Sequence, residues 1–242
     1  MKLHTLLLSG FFVLVIGVGI SSVSAQQEEL LPELELVTHM HGNLDRLSEV
    51  KAAIIAGDLE AAREPAAWIA EHNGVDTLAK GWEPYIVRMR ADARNVASAT
   101  DLSSAAAHLS GIAQACGDCH VANNSEVTFG FDQKPRDEVD GRRTHMQRHL
   151  WGVDRMWDGL IGPSDIAWNR GSDFLIDVPL SPEEVLDSTI SVEGIGEMAK
   201  QVHILGGKGT QIKSASGRSE LLGELLGVCG SCHAQLQVGP AH

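Results

Sequence analysis

All 4 cysteines of this 242-residue chain fall in two motifs of one form. Cys116-Gly117-Asp118-Cys119-His120 is the first, and Cys229-Gly230-Ser231-Cys232-His233 is the second. CxxCH is the attachment signature of a c-type haem. Each thiol adds to a haem vinyl group as a thioether, and the adjoining His offers its imidazole to the iron. On a helix, residues at i, i+3 and i+4 share one face, so both anchors and the ligand can grip the same haem edge. Zinc binding and thiol redox chemistry are the competing uses. A zinc ribbon wants its pairs closer together than these, which lie more than a hundred residues apart. A thioredoxin-like site needs a βαβ context that the sequence lacks. Two covalently bound c-type haems are therefore the expected cofactors, held by Cys116, Cys119 and His120 and by Cys229, Cys232 and His233.

These motifs need helices, and the surrounding sequence supplies them. Asp101 can cap a helix running through Leu109 and Ile112 to His120. Ser216 begins a similar one, with Leu221, Leu222, Leu225 and Leu226 leading into Cys229. In the first half the pattern predicts helices over Leu31–Ala56, Asp58–His72 (bent or limited by Pro65), Pro84–Ala99 and Asp101–His120. In the second half it predicts Gly141–Ile161, Ser164–Leu175, Ser191–Leu205 (stopped by Gly206-Gly207) and Ser216–His233. Ser181-Pro182-Glu183-Glu184 reads as one extra helical turn.

The halves also resemble each other. Thr38-His39-Met40 recurs as Thr144-His145-Met146, and Ala67-Trp68 recurs as Ala167-Trp168. This predicts a tandem duplication of one haem module. The module spans are 26–125 and 141–242, joined by a polar linker over 126–140 that holds Pro135 and a run of charges. Both tryptophans read as core or haem-pocket packing. His72, His108 and His203 read as surface or capping residues.

Composition narrows the function classes. With 5% aromatics and little alternation of β-branched and polar residues, an all-β fold starts badly. The net charge of −13 argues against nucleic acid, which demands a basic face. Lys2, the apolar run Leu6 to Ile20 and Val23-Ser24-Ala25 read as a secretory signal peptide over residues 1–25, cleaved after Ala25. The alternative is an uncleaved membrane anchor. Removing Lys2 would leave 18 basic residues against 32 acidic ones, so the expected product is an acidic periplasmic protein.

Four helices with CxxCH in the last one resemble the cytochrome c′ superfamily, and the chain looks like a tandem dihaem member of it. The resemblance covers nearly all of residues 30–238 and rests on the two motifs, the helix count and the first-helix Met. It implies an all-α fold of two tandem antiparallel four-helix bundles, each with CxxCH near the end of its last helix. Gas-binding members commonly carry a basic residue four positions after the haem His. Asn124 and Gln237 stand there in this chain, which weakens a gas-binding reading.

The resemblance also implies that the first helix of each module faces the iron opposite His120 or His233. His39, Met40 and His41 are the candidates in the first half. Met40 lies in the apolar stripe of Leu36, Leu44, Leu47 and Ile54. Met146 lies in the matching stripe of Leu150, Val153, Trp157 and Leu160, with His149 at its edge as the main rival. Met40 and Met146 are the expected sixth ligands, and a vacant or water-filled site and a His ligand remain as alternatives. The function expected is single-electron transfer between redox partners by a periplasmic cytochrome, not an enzyme. Its partners would be redox proteins with a basic docking face, or a membrane redox complex. Binding of NO or CO at an open iron is the alternative.

Overall fold

The computed structural model describes residues 19–72, 81–130, 134, 141–176 and 194–238, with side chains from residue 36 onward. Among them every regular element is helical. The helices are α1 (Gly19–Ala56), α2 (Leu59–Glu71), α3 (Glu83–Ser98), α4 (Leu102–Ala122), α5 (Gly141–Ile161), α6 (Asp165–Leu175), α7 (Ile195–Gly209) and α8 (Ala215–Leu236). Each CxxCH lies near the C-terminal end of its helix, α4 or α8. The turn expected at Ser181–Glu184, the leader residues before Gly19 and most of the 126–140 linker lie outside the described residues. None of the described helices is long and apolar enough to cross a membrane.

Local chemistry sets where the helices begin. Asp58 accepts from the Ala61 N–H and Asp101 from the Ser104 N–H. Ser164 accepts from the Ala167 N–H and Ser214 from the Gly217 N–H. Each bond satisfies one of the four donors a helix N-terminus leaves open, at a typical value of about 1 kcal/mol. The caps also mark the repeat. Asp58 and Ser164 are 106 residues apart, and Asp101 and Ser214 are 113 apart.

Two helix interiors depart from what the sequence suggests. Pro65 is buried inside α2, which continues through it. Gly206 and Gly207 do not stop α7, which runs on to Gly209. Gly206 is a contact residue instead. A Cβ there would sit 2.6 Å from the Leu175 Cβ, so its absence lets α7 approach α6.

The chain divides into two compact units, Met1–Gly42 and Asn43–His242, and α1 runs through both. The first unit is described only by its stretch of α1. Within the second, α4 packs along α8, so the two CxxCH helices are direct neighbours. Small residues permit this. A Cβ on Gly223 would lie 3.0 Å from the Ala107 Cα, and one on Gly227 would lie 3.3 Å from the Ser103 Cα. The helix α3 packs on α4 and α2 on α3, while α5, α6 and α7 follow one another to α8.

One apolar cluster links all of these helices. It joins Leu47, Val50 and Ile54 of α1 and Leu109 and Ile112 of α4 to Met156 and Leu160 of α5 and Leu222 and Leu225 of α8. The halves of residues 43–242 thus share a core, where the repeat suggested two self-contained ones. Lys51 on α1 ties them further, with Nζ 2.6 Å from Asp154 Oδ1 and 5.2 Å from the Trp157 ring centre.

Candidate functional site

Each CxxCH is built against the first helix of the other half. On α4, His120 directs Nδ1 at the Ile161 carbonyl, 2.8 Å away at the end of α5. On α8, His233 directs Nδ1 at the Ile55 carbonyl, 2.6 Å away at the end of α1. A carbonyl only accepts, so Nδ1 must carry the proton and donate. That fixes the tautomer in which Nε2 keeps its lone pair, as a metal-binding imidazole requires. The acceptors Ile55 and Ile161 stand 106 residues apart and the donors 113 apart, the spacings the caps show.

The same crossing explains the second letter of both motifs. A Cβ on Gly117 would run into the Leu160 carbonyl, and one on Gly230 into the Ile54 carbonyl. Glycine lets the motif backbone lie on the partner helix, close enough for the next turn's imidazole to reach a carbonyl. Each helix then ends in a left-handed residue four positions past the His. Asn124 has φ 53° and Gln237 φ 52°. Asn124 and Gln237 therefore terminate helices and do not continue a helical face.

The four thiols are free of disulfides. Burial pushes the Cys116 and Cys229 thiols up to about 12, and the neighbouring Cys119 or Cys232 adds to this. Burial also raises Cys119 and Cys232, opposed at Cys119 by its bond with Asn123. At neutral pH all four are protonated. Among the described residues the four thiols belong to no converging group of three or more His, Cys or carboxylate ligands. Two thiols and an Nε2-presenting imidazole on one helical turn do fit a covalent haem.

The expected sixth ligands are placed less decisively. Met40 and Met146 are both half-buried, as is His39, and His41 is exposed. The stripe drawn through Met146 is offset from the buried face of α5. Leu150 is exposed, whereas His145, His149, Val153, Met156 and Leu160 are buried. The difference arises because polar imidazoles, not only apolar residues, fill the interior at the start of α5.

A histidine cluster is the feature that sequence reasoning missed. His145 and His149 on α5 meet His203 on α7, with one ligand nitrogen from each within 4.8 Å of the others. Ring centres are 4.2 Å apart for His145 and His149, 5.0 Å for His149 and His203, and 5.4 Å for His145 and His203. His149 is 8% exposed, and its Nε2 has no hydrogen-bond partner among the described residues. Burial holds its pKa well below the usual range, helped by His145, His203, Arg148 and His233. Burial also lowers His203, opposed by the nearby Leu175 backbone, which does not reach hydrogen-bond geometry. His203 is half-buried and faces the α5 histidines, where the sequence reads a surface or capping residue. The available signal was the His145-x-x-x-His149 spacing, which puts both rings on one helical face. The other two histidines fit their reading better. His72 caps α2, and His108 bonds Asp92 at 2.9 Å.

The paired tryptophans are not equivalent. Counted from the shared caps Asp58 and Ser164, Trp168 matches Ala62, and Trp68 matches Phe174. Trp168 is fully buried, and its Nε1 donates to the Gly209 carbonyl at 2.8 Å. Arg218 lies over its ring and bonds Asp165. Trp68 is half-buried and stacks on His72 at 4.0 Å. Comparison with protein-family models, with curated proteins and with solved structures finds no match to this chain.

Proposed function

We propose that the chain is an exported dihaem c-type cytochrome that passes single electrons between redox proteins. The observation that carries this reading is the paired imidazole geometry. His120 and His233 each donate Nδ1–H to a carbonyl and keep Nε2 for iron, beside two free thiols on the same helical turn. Cys116 and Cys119 would tether one haem and Cys229 and Cys232 the other, with Met40 and Met146 as the candidate sulfur ligands. A c-type haem supplies a one-electron iron couple, whose potential follows axial ligand, burial and nearby hydrogen bonds. Carbonyl acceptors on both proximal rings make those imidazoles more basic and fix their orientation. Packing of α4 along α8 sets the two attachment helices side by side, a favourable arrangement for electron exchange between haems. The acidic surface expected of the exported chain suits a basic redox partner.

The test is mass spectrometry and an optical spectrum of the protein expressed with its leader in a host that matures c-type cytochromes. Denatured protein is expected to keep its colour, to begin at Gln26 and to exceed its polypeptide mass by two haems. A mass without added haem overturns the reading. Immediate CO binding by the reduced protein replaces electron transfer with gas binding.

A further inference from the structure

The geometry points to a second kind of metal site: His145, His149 and His203, none of them a CxxCH residue, form a three-imidazole site for one divalent d-block cation of the zinc class. The nitrogens already converge within 4.8 Å. Zinc–imidazole bonds of about 2.0–2.1 Å place ligand nitrogens roughly 3.4 Å apart in a tetrahedron, so the rings need draw in by only about an ångström. Two ligands come from one face of α5 at i and i+4, the helical spacing that chelates zinc elsewhere. The third comes from α7, so the ion would tie two packed helices. His149 Nε2, nine-tenths buried and without a hydrogen-bond partner among the described residues, is the atom that a cation would satisfy.

The donor chemistry selects the ion. Three imidazoles and no carboxylate suit zinc, copper, nickel or cobalt, not magnesium or calcium, which take oxygen ligands. Met146-Gln147-Arg148 lies between the α5 histidines where a metalloprotease helix would carry its glutamate, so the site holds an ion without the general base of that chemistry. The nearby cation Arg148 is held over the Phe174 ring, 4.3 Å from its centre. A fourth position remains for water, a property of three-ligand sites. The first half lacks the set: Asn43 stands where repeat spacing places His149, and α3 contains no histidine.

The experiment is Zn2+ titration by calorimetry on the full haem-loaded chain without a histidine tag, followed by zinc-edge X-ray absorption. One Zn2+ per chain is expected, with only nitrogen or oxygen neighbours near 2.0–2.1 Å. His203→Ala and His149→Asn are each expected to weaken binding at least ~10-fold. His203→Gln, which keeps a polar group of similar bulk, gives the same reading if the alanine variant does not fold. Absence of binding, or binding indifferent to these substitutions, overturns the proposal. Sulfur neighbours at about 2.3 Å overturn it too, and show that the cysteines are not tied up in haem, which is the separate failure of the cytochrome reading. A change of haem spin state in metal-free His149→Asn also overturns it, by assigning that imidazole to the iron.

Discussion

The halves of residues 43–242 share a backbone plan and differ in what fills it. Caps, motif glycines, motif histidines and the carbonyls they meet recur at the repeat spacings. Many buried apolar positions recur too, such as Leu109 and Leu222, but some interior side chains do not. The first half places Asn43 and Ala62 where the second places His149 and Trp168, and all four are buried. Contacts made through backbone atoms leave no room for a Cβ, which accounts for a glycine at the same motif position in both halves. Interior side chains can be exchanged whenever the surrounding volume is refilled.

Trp168 and Trp68 give the strongest test of that contrast. Trp168→Ala removes a fully buried indole and leaves the Gly209 carbonyl without its donor. A loss of about 3–5 kcal/mol is expected in denaturant unfolding. Trp68→Ala, which removes a half-buried ring stacked on His72, is expected to cost less than half of that. Equal losses would show the tryptophans to be equivalent after all.

Gly117 and Gly230 test what the halves share. Valine at either must push a motif off the carbonyl beneath it, at about 1–3 kcal/mol. The two variants are expected to lose similar stability, and each to disturb the optical spectrum of the haem proposed at its own motif. Because the core is continuous, each is also expected to lower the single unfolding transition of the whole unit. Separate transitions, with only one shifted, would restore two independent modules.

Much of this architecture is legible in the sequence. The caps Asp58, Asp101 and Ser164 and the α5 bounds follow from local rules, because a capping oxygen and an apolar period act within a few residues. The placement of Cys116 to His120 and Cys229 to His233 on single helices is legible for the same reason. What the two glycines do is not, since Gly117 faces Leu160 and Gly230 faces Ile54, partners that only tertiary packing selects. The histidine cluster is hidden in a similar way. His145-x-x-x-His149 is visible in one helix, but nothing local assigns His203, a lone histidine on α7, as its third member. The repeat misled at Ala-Trp because a two-residue match outweighed the spacing that the caps establish.

The smallest expected effect is the pH response of the buried cluster, which involves few protons. In the folded, metal-free protein, burial depresses His149, and the surrounding His145, His203, Arg148 and His233 add to it. The unfolded chain takes up a proton on this imidazole below about pH 6.5, while the folded chain does not until a lower pH. The unfolded state therefore binds more protons in that window, and stability must fall as pH falls. The contribution is fully present above about pH 6.5 and is lost on the way down to the folded-state pKa. His203, lowered in the same direction, acts with it. Melting temperatures measured from pH 7.5 to pH 5 are expected to decline, and His149→Asn, which copies the first half's Asn43, is expected to flatten the decline. If the slope is unchanged in His149→Asn, the proton uptake belongs to other groups, and the second half is no more acid-sensitive than the first.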